Sequence, residues 1–143
     1  MLTIRRARED EGAALSELCL RSKAVWGYDN AFMQACRREL ILTNAAVRSP
    51  DIRVADHNGQ PVGVVELRFN NEEAELEKLF VEPAMMKTGV GRQLLDWAIE
   101  AARAKGATVL RIESDPAAAA FYRRMGALDD GDTVSGSIPG RRI

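Results

Sequence analysis

Apolar residues in this chain recur at two spacings, and the alternation between them marks out the elements. Leu2 to Arg6 alternates weakly and is rich in branched residues, which predicts a first strand. Asp10 to Lys23 then carries Ala14, Leu15, Leu18 and Cys19 at helical spacing. Gly27 interrupts the pattern, and Asp29 or Asn30 is placed to cap a second helix in which Phe32, Met33, Cys36, Leu40 and Ile41 repeat at three and four. The period then falls to two. Ile52 to Ala55 and Val62 to Phe69 read as antiparallel strands joined by the turn signal at 57 to 60, with Pro61 tolerable at a strand's start. Asn70-Asn71 makes a second turn before a strand over Ala74 to Val81. From Gly89 the helical period returns: Leu94, Leu95, Ala98, Ile99 and Ala102 share one face, and Gly106 sits where a C-terminal cap belongs. Val109 to Glu113 predicts a short strand, and a last helix begins near Ser114 or Asp115 with Pro116 and stops at Gly126. Beyond it the sequence is turn-rich, with Thr133-Val134 and Ile138 alone strand-like.

The expected fold is therefore a single α/β (α+β) domain over residues 1–143, a mixed and mainly antiparallel sheet flanked by helices. The length agrees with one domain and one core. The 20 basic and 21 acidic residues are interspersed, so nothing marks a nucleic-acid partner. Two cysteines, Cys19 and Cys36, lie in apolar helical surroundings without metal-ligand spacing, which predicts buried free thiols and no metal site. The N-terminus is charged where a signal peptide needs an apolar core, and no apolar run is long enough to span a bilayer, so a cytoplasmic protein without membrane partners is expected.

Met86-Lys87-Thr88-Gly89-Val90-Gly91 lies between a predicted strand and a long helix. At that position backbone N–H groups and the positive helix end can bind an anion, and the N–H groups of Lys87 to Arg92 can converge on a pyrophosphate that approaches Gly89 and Gly91 closely. A tight turn that merely joins the two elements is an equal reading of this segment alone. The P-loop and dinucleotide patterns do not fit, because Gly91 is followed by Arg92, Gln93 and Leu94.

Leu79-Phe80-Val81-Glu82-Pro83, followed by Gly89-Val90-Gly91-Arg92-Gln93-Leu94-Leu95, resembles motif A of the GNAT acetyltransferases, a strand, a Q/R-x-x-G-x-G/A loop and a helix that hold the coenzyme A pyrophosphate. Met86 stands where Gln or Arg is usual. Residues 115 to 126 resemble the family's second signature, N-x-x-A-x-x-x-Y followed by a basic residue and Gly, with Asp115 in place of the Asn and Tyr122 as the tyrosine. The resemblance extends over nearly the whole chain and fades in its last stretch.

The resemblance implies an N-acetyltransferase that moves an acetyl group from acetyl-coenzyme A to a primary amine by direct attack, with no metal. It implies that Leu79, Phe80 and Val81 carry the strand edge against the pantetheine, that residues 86 to 92 and Asp115 bind the coenzyme, and that Tyr122 is the general acid for the departing thiolate. The alternative for Tyr122 is a core tyrosine beside Phe121, Ala118 and Met125. Glu75 and Glu77 share a strand face by two-residue alternation, and Glu75 lies at the spacing where some members carry a catalytic glutamate; Glu66 is a third carboxylate, and solvated surface charge is the competing role for all three. Trp26 and Tyr28 join the two early helices, where the family covers its acceptor site, and are expected either to line that pocket or to pack a helix corner. His57 is expected in a solvated turn, and Arg141 and Arg142 in a solvated tail. The acceptor is a small-molecule or peptide amine of unspecified class. A homodimer fits if a partner supplies the sheet edge that the chain's end does not. A coenzyme-binding module without catalysis is the alternative function.

Overall fold

The computed structural model of the chain describes residues 2–114 and 118–128. Among these residues five strands form one sheet in the order β1-β2-β3-β4-β5: β1 (Leu2–Arg5), β2 (Ile52–His57), β3 (Gln60–Asn70), β4 (Glu73–Val81) and β5 (Val109–Ile112). The first four pair antiparallel and β5 joins β4 in parallel, so the sheet is mixed and mainly antiparallel, as the spacing predicted. The β2–β3 turn is Asn58-Gly59, both at positive φ (55° and 87°), the conformation a two-residue hairpin demands. Pro61 opens β3 opposite Asp56, where the β2–β3 register shifts.

Each face of the sheet carries its own apolar cluster. On one side α1 (Gly12–Ala24) and α2 (Asn30–Leu40) cover Ile52, Val54 and Val64 with Leu15, Leu18, Cys19 and Cys36. The side chain of Asp29 accepts the Phe32 N–H at 2.8 Å and starts α2, one of the two caps expected there. On the other side α3 (Val90–Ala104) lays Val90, Leu94, Leu95 and Ala98 on Ala55, Val65, Leu67 and Leu76. The short α4 (Ala119–Arg124) adds Phe121 and Tyr122 to that cluster. Asp115, Pro116 and the expected strand residues near 133–138 lie outside the described residues.

One buried ion cluster ties the start of α1 to the sheet. Arg5 on β1 donates to both carboxylate oxygens of Glu11 (2.8 and 2.9 Å) and to Asp56 on β2 (2.8 Å). Glu11 also accepts the Arg8 N–H and Asp56 the Gly59 N–H, each at 2.7 Å, so the two carboxylates bond backbone as well as charge.

Candidate active site

The site begins with an irregularity in β4. Its register against β3 runs Glu66↔Lys78 and then Leu67↔Leu76, so Glu77 is one extra residue, a β-bulge. Pairing with β5 ends beside it: Glu73 to Leu76 face Val109 to Ile112, and from Glu77 to Val81 the strand has no β5 partner. The N–H of Glu82 donates to Val62 O at 2.8 Å, which fixes the alternation. Phe80 and Lys78 accordingly turn their main chain toward β3, and Leu79 and Val81 turn theirs toward the gap. Leu79 and Val81 thus present main-chain groups on the edge that β5 leaves uncovered.

Past Val81 the chain enters the glycine loop. After the single 3₁₀ turn at Pro83–Met85, Met86 donates its N–H to Pro83 O at 3.3 Å and the Thr88 hydroxyl donates to Met85 O. Lys87 takes a positive φ of 64°, and Gly89, the residue before α3, takes φ 93° and ψ 1°. The first bond into the helix runs from Gln93 N to Gly89 O (3.1 Å), so the N–H groups of Val90, Gly91 and Arg92 point out of the helix start without an intrahelical acceptor. The two glycines do different work. A Cβ on Gly89 would meet nothing within 4 Å, so its role inside the protein is conformational and the space beside it is open. A Cβ on Gly91 would stand 3.3 Å from Phe121 Cζ and 3.6 Å from Val81 Cγ2, so the glycine lets α4 pack closely against α3 and β4.

Through Phe121 the loop and Tyr122 become neighbours. The Phe121 and Tyr122 rings meet edge to face at 5.2 Å. Burial pushes the Tyr122 phenol above its ordinary value, so it keeps its proton throughout the neutral range and can act as a donor but not as a base.

The three carboxylates singled out from the sequence all have cationic partners. Glu75 and Glu77 converge on one nitrogen of Arg68, Nη2, at 2.6 and 2.8 Å, and so occupy one face although Glu77 is the bulged residue. Glu66 pairs with Lys78 at 3.1 Å. Tyr28 stacks on Phe32 (3.9 Å between centroids, 20° between planes), the arrangement of a packed helix corner, while Trp26 is 45% exposed. His57 ends β2 at the turn, with its Nε2 3.3 Å from the Asn58 amide. Burial pushes the Cys19 thiol up to about 12, and both cysteines are free and buried. Asp115, Arg141 and Arg142 lie outside the described residues. Among the described residues no acidic, His and Cys group could hold a metal ion, and no helix is long and apolar enough to cross a membrane.

Two site contacts were not foreseen. The hydroxyl of Ser22 accepts the N–H of Val81 at 3.2 Å, and Arg21 grips Glu82 with two bonds of 3.0 and 2.7 Å, so the last turn of α1 holds the last turn of the open strand. A signal existed: Ser22 continues the buried series Leu15, Leu18, Cys19 at helical spacing, and a polar residue on an apolar stripe needs a partner.

Known proteins share this architecture. The chain is 31% identical over 93 residues to an uncharacterised N-acetyltransferase of Methanocaldococcus jannaschii, a match that takes in 58% of this chain and 41% of that protein, so the chain spans about two-fifths of that relative's length. The PaiA N-acetyltransferase of Thermoplasma acidophilum, crystallised with coenzyme A, aligns with a TM-score of 0.74 at 22% identity, covering 96% of this chain and 94% of that one. A GNAT family acetyltransferase of Brucella melitensis in complex with acetyl-CoA aligns at 0.65 and 20% identity, covering 88% and 82%. At these identities the structures establish the fold. The family itself rests on the sequence model of the acetyltransferase (GNAT) family, which matches residues 19–127, and the chain belongs to that family.

Proposed function

We propose that this protein transfers an acetyl group from acetyl-coenzyme A to a primary amine of a small molecule or peptide, without a metal. The observation that carries the reading is a juxtaposition: the edge of β4 at Leu79 that β5 leaves uncovered precedes a loop whose helix start turns out the N–H groups of Val90, Gly91 and Arg92, and Gly91 packs on Phe121, next to Tyr122. The open space beside Gly89 suits a pyrophosphate approaching the helix start, where N–H groups and the helix dipole favour negative charge. Known structures of this fold holding coenzyme A or acetyl-CoA support the same ligand.

In the chemistry that follows, the Leu79 N–H faces the thioester carbonyl and stabilises the oxygen as the amine attacks and negative charge develops. The C–N bond forms, the C–S bond breaks, and Tyr122 gives its proton to the departing thiolate. The attacking nitrogen loses its proton to water, since Glu66, Glu75 and Glu77 are engaged with Lys78 and Arg68. Solvent returns a proton to Tyr122.

Tyr122→Phe tests the central step. The ring packing against Phe121 is kept, so coenzyme A affinity measured by calorimetry should be unchanged, while kcat for acetylation of a responsive amine should fall by roughly 10²–10⁴-fold if chemistry limits turnover. Full activity in the Phe variant under those conditions removes the general-acid role. Coenzyme binding without turnover across a broad amine panel would instead mark the protein as a binding module.

A further inference from the structure

We infer that Arg21 is a positioning residue for the coenzyme: acting through Glu82, it sets the start of the glycine loop from the face of the sheet opposite α3. The inference rests on the coenzyme reading above.

Glu82 is the residue at which β4 gives way to the loop, and each of its polar groups has its own partner. Its N–H donates to Val62 O on β3 at 2.8 Å, and its carbonyl accepts the Met85 N–H at 2.8 Å and so closes the 3₁₀ turn. Its carboxylate lies in the fork of Arg21, 3.0 Å from Nε and 2.7 Å from Nη2. Only this third contact reaches α1. Past Glu82 the loop bonds to itself: the Met86 N–H returns to Pro83 O, and the Thr88 hydroxyl to Met85 O. Among the described residues no hydrogen bond of 83–88 reaches another element, and Gly89 O takes the Gln93 N–H of α3. The path of the loop is therefore set at its two ends, by Glu82 and by Val90, which is buried in the cluster under α3.

A guanidinium that meets a carboxylate through two nitrogens fixes its orientation as well as its distance, which a single ammonium contact does not. The Arg21 side chain is half exposed, so the pair adds little to global stability. What it adds is direction. Released from Arg21, the Glu82 side chain no longer restrains the residue whose backbone aims Pro83 and the turn toward Gly89. A second way for Arg21 to act is by charge alone, as a cation near the coenzyme's phosphates. The two differ in sign at Glu82, because removing an anion near a polyanion strengthens binding, whereas removing an anchor weakens it.

Calorimetry with coenzyme A on the native protein, Arg21→Ala, Glu82→Gln and the double variant separates them. Arg21→Ala should raise Kd by about two- to thirtyfold, the range for residues that act on a site without touching the ligand. Glu82→Gln should raise it by a similar factor, and the double variant should bind no more weakly than either, since both changes break one contact. Arg21→Lys, which keeps the charge and loses the fork, should fall between Arg21→Ala and native. Tm and binding stoichiometry should stay near native throughout. Native or tighter binding in Glu82→Gln overturns the proposal, and so does a loss confined to Tm or to the fraction of competent protein with Kd unchanged. Glu82→Gln, which keeps the side chain's shape, decides the matter if Arg21→Ala does not fold. Absence of coenzyme A binding in the native protein would be a failure of the coenzyme reading. The ¹⁵N amide shifts of Gly89 and Gly91 in ligand-free protein, expected to move in Arg21→Ala, then judge the link by themselves, and unmoved shifts overturn it.

Discussion

Gly89 and Gly91 look alike in sequence, yet the structure predicts opposite consequences for the same substitution. Gly89→Ala places a side chain on a residue at φ 93° and ψ 1°, where an L-residue is less stable by about 1–2 kcal/mol, partly offset by about 0.4–1 kcal/mol from the stiffer unfolded chain. No protein atom lies within 4 Å of the new Cβ, so there is no steric cost to add. The net loss is about 1 kcal/mol, a fall in Tm of about 3–4 °C for a domain of this size. Coenzyme affinity should fall much further. The Cβ occupies the open space in front of the helix start, and losing one charge-assisted hydrogen bond to a phosphate is worth about 1.5–3 kcal/mol, or roughly 10- to 100-fold in Kd. Gly91→Ala differs in each respect. Its Cβ meets Phe121 Cζ at 3.3 Å, which the ring relieves by moving a few tenths of an ångström, while alanine gains about 0.5–1 kcal/mol of helix preference. Stability and coenzyme affinity should stay near native. The displaced Phe121 leans on Tyr122, and if about a hundredfold is lost per ångström of misplacement, kcat should drop by about two- to fivefold. Thermal unfolding, calorimetry with coenzyme A and steady-state kinetics on the same three proteins separate these effects. A Gly89→Ala variant with the expected loss of Tm but native affinity would refute the placement of the pyrophosphate at this loop.

Two further outcomes follow from ionisation. Pairing with Arg5 holds the Glu11 carboxyl below its ordinary 4.5, so the stability it confers is fully present above about pH 4.5 and is lost as the pH falls through the lower, folded value. Glu11→Gln should lower stability at pH 7 by about 1–3 kcal/mol and flatten the acid limb of a Tm-versus-pH curve, and parallel native and variant curves would rule out this linkage. Burial raises the Tyr122 phenol above its ordinary 10, so its acid form persists into alkaline solution. The kcat/KM for an alkylamine acceptor should therefore keep rising to about pH 10 as the amine loses its proton, and a limb that descends below pH 9 would assign the proton donor to another group.

How much of this was legible in the sequence varies by physical cause. The periodicities that bury Leu15, Leu18 and Cys19 under α1 and Leu94, Leu95 and Ala98 under α3 are local, so the elements and the mixed sheet follow from the chain alone. The turn at Asn58-Gly59 and the cap at Asp29 are equally local chemistry. What depends on pairing partners is not legible. An extra residue at Glu77 shows in AELEKLFV only as the adjacent polar pair Glu77-Lys78, which shifts the alternation from Ala74 and Leu76 to Leu79 and Val81, and only the β3 register identifies it as a bulge. The reason for Gly91 was likewise hidden, since its neighbour in space, Phe121, is thirty residues away in sequence. Arg68 as the shared partner of Glu75 and Glu77 requires knowing that β3 and β4 lie side by side with Arg68 opposite Glu75.

The bulge at Glu77 connects these separate features. Pairing of β4 with β5 ends at Leu76, the residue before the bulge, and a bulge bends its strand and increases its twist, so one residue opens the gap. Beyond it the strand pairs with β3 alone, so its other edge carries exposed donors. It is held from both sides: Val62 O on β3 takes the Glu82 N–H, and on α1 Arg21 takes the Glu82 carboxylate and Ser22 the Val81 N–H. Before and at the bulge the carboxylates of Glu75 and Glu77 share one guanidinium, and just after it Lys78 pairs with Glu66. Three carboxylates face two cations there, and the charge of Glu113 also acts on Arg68, so this end of β4 keeps a net negative charge. Under the proposed mechanism that field would draw in an amine as its cation, which would then have to give up its proton before attack, while Tyr122 would serve the sulfur side.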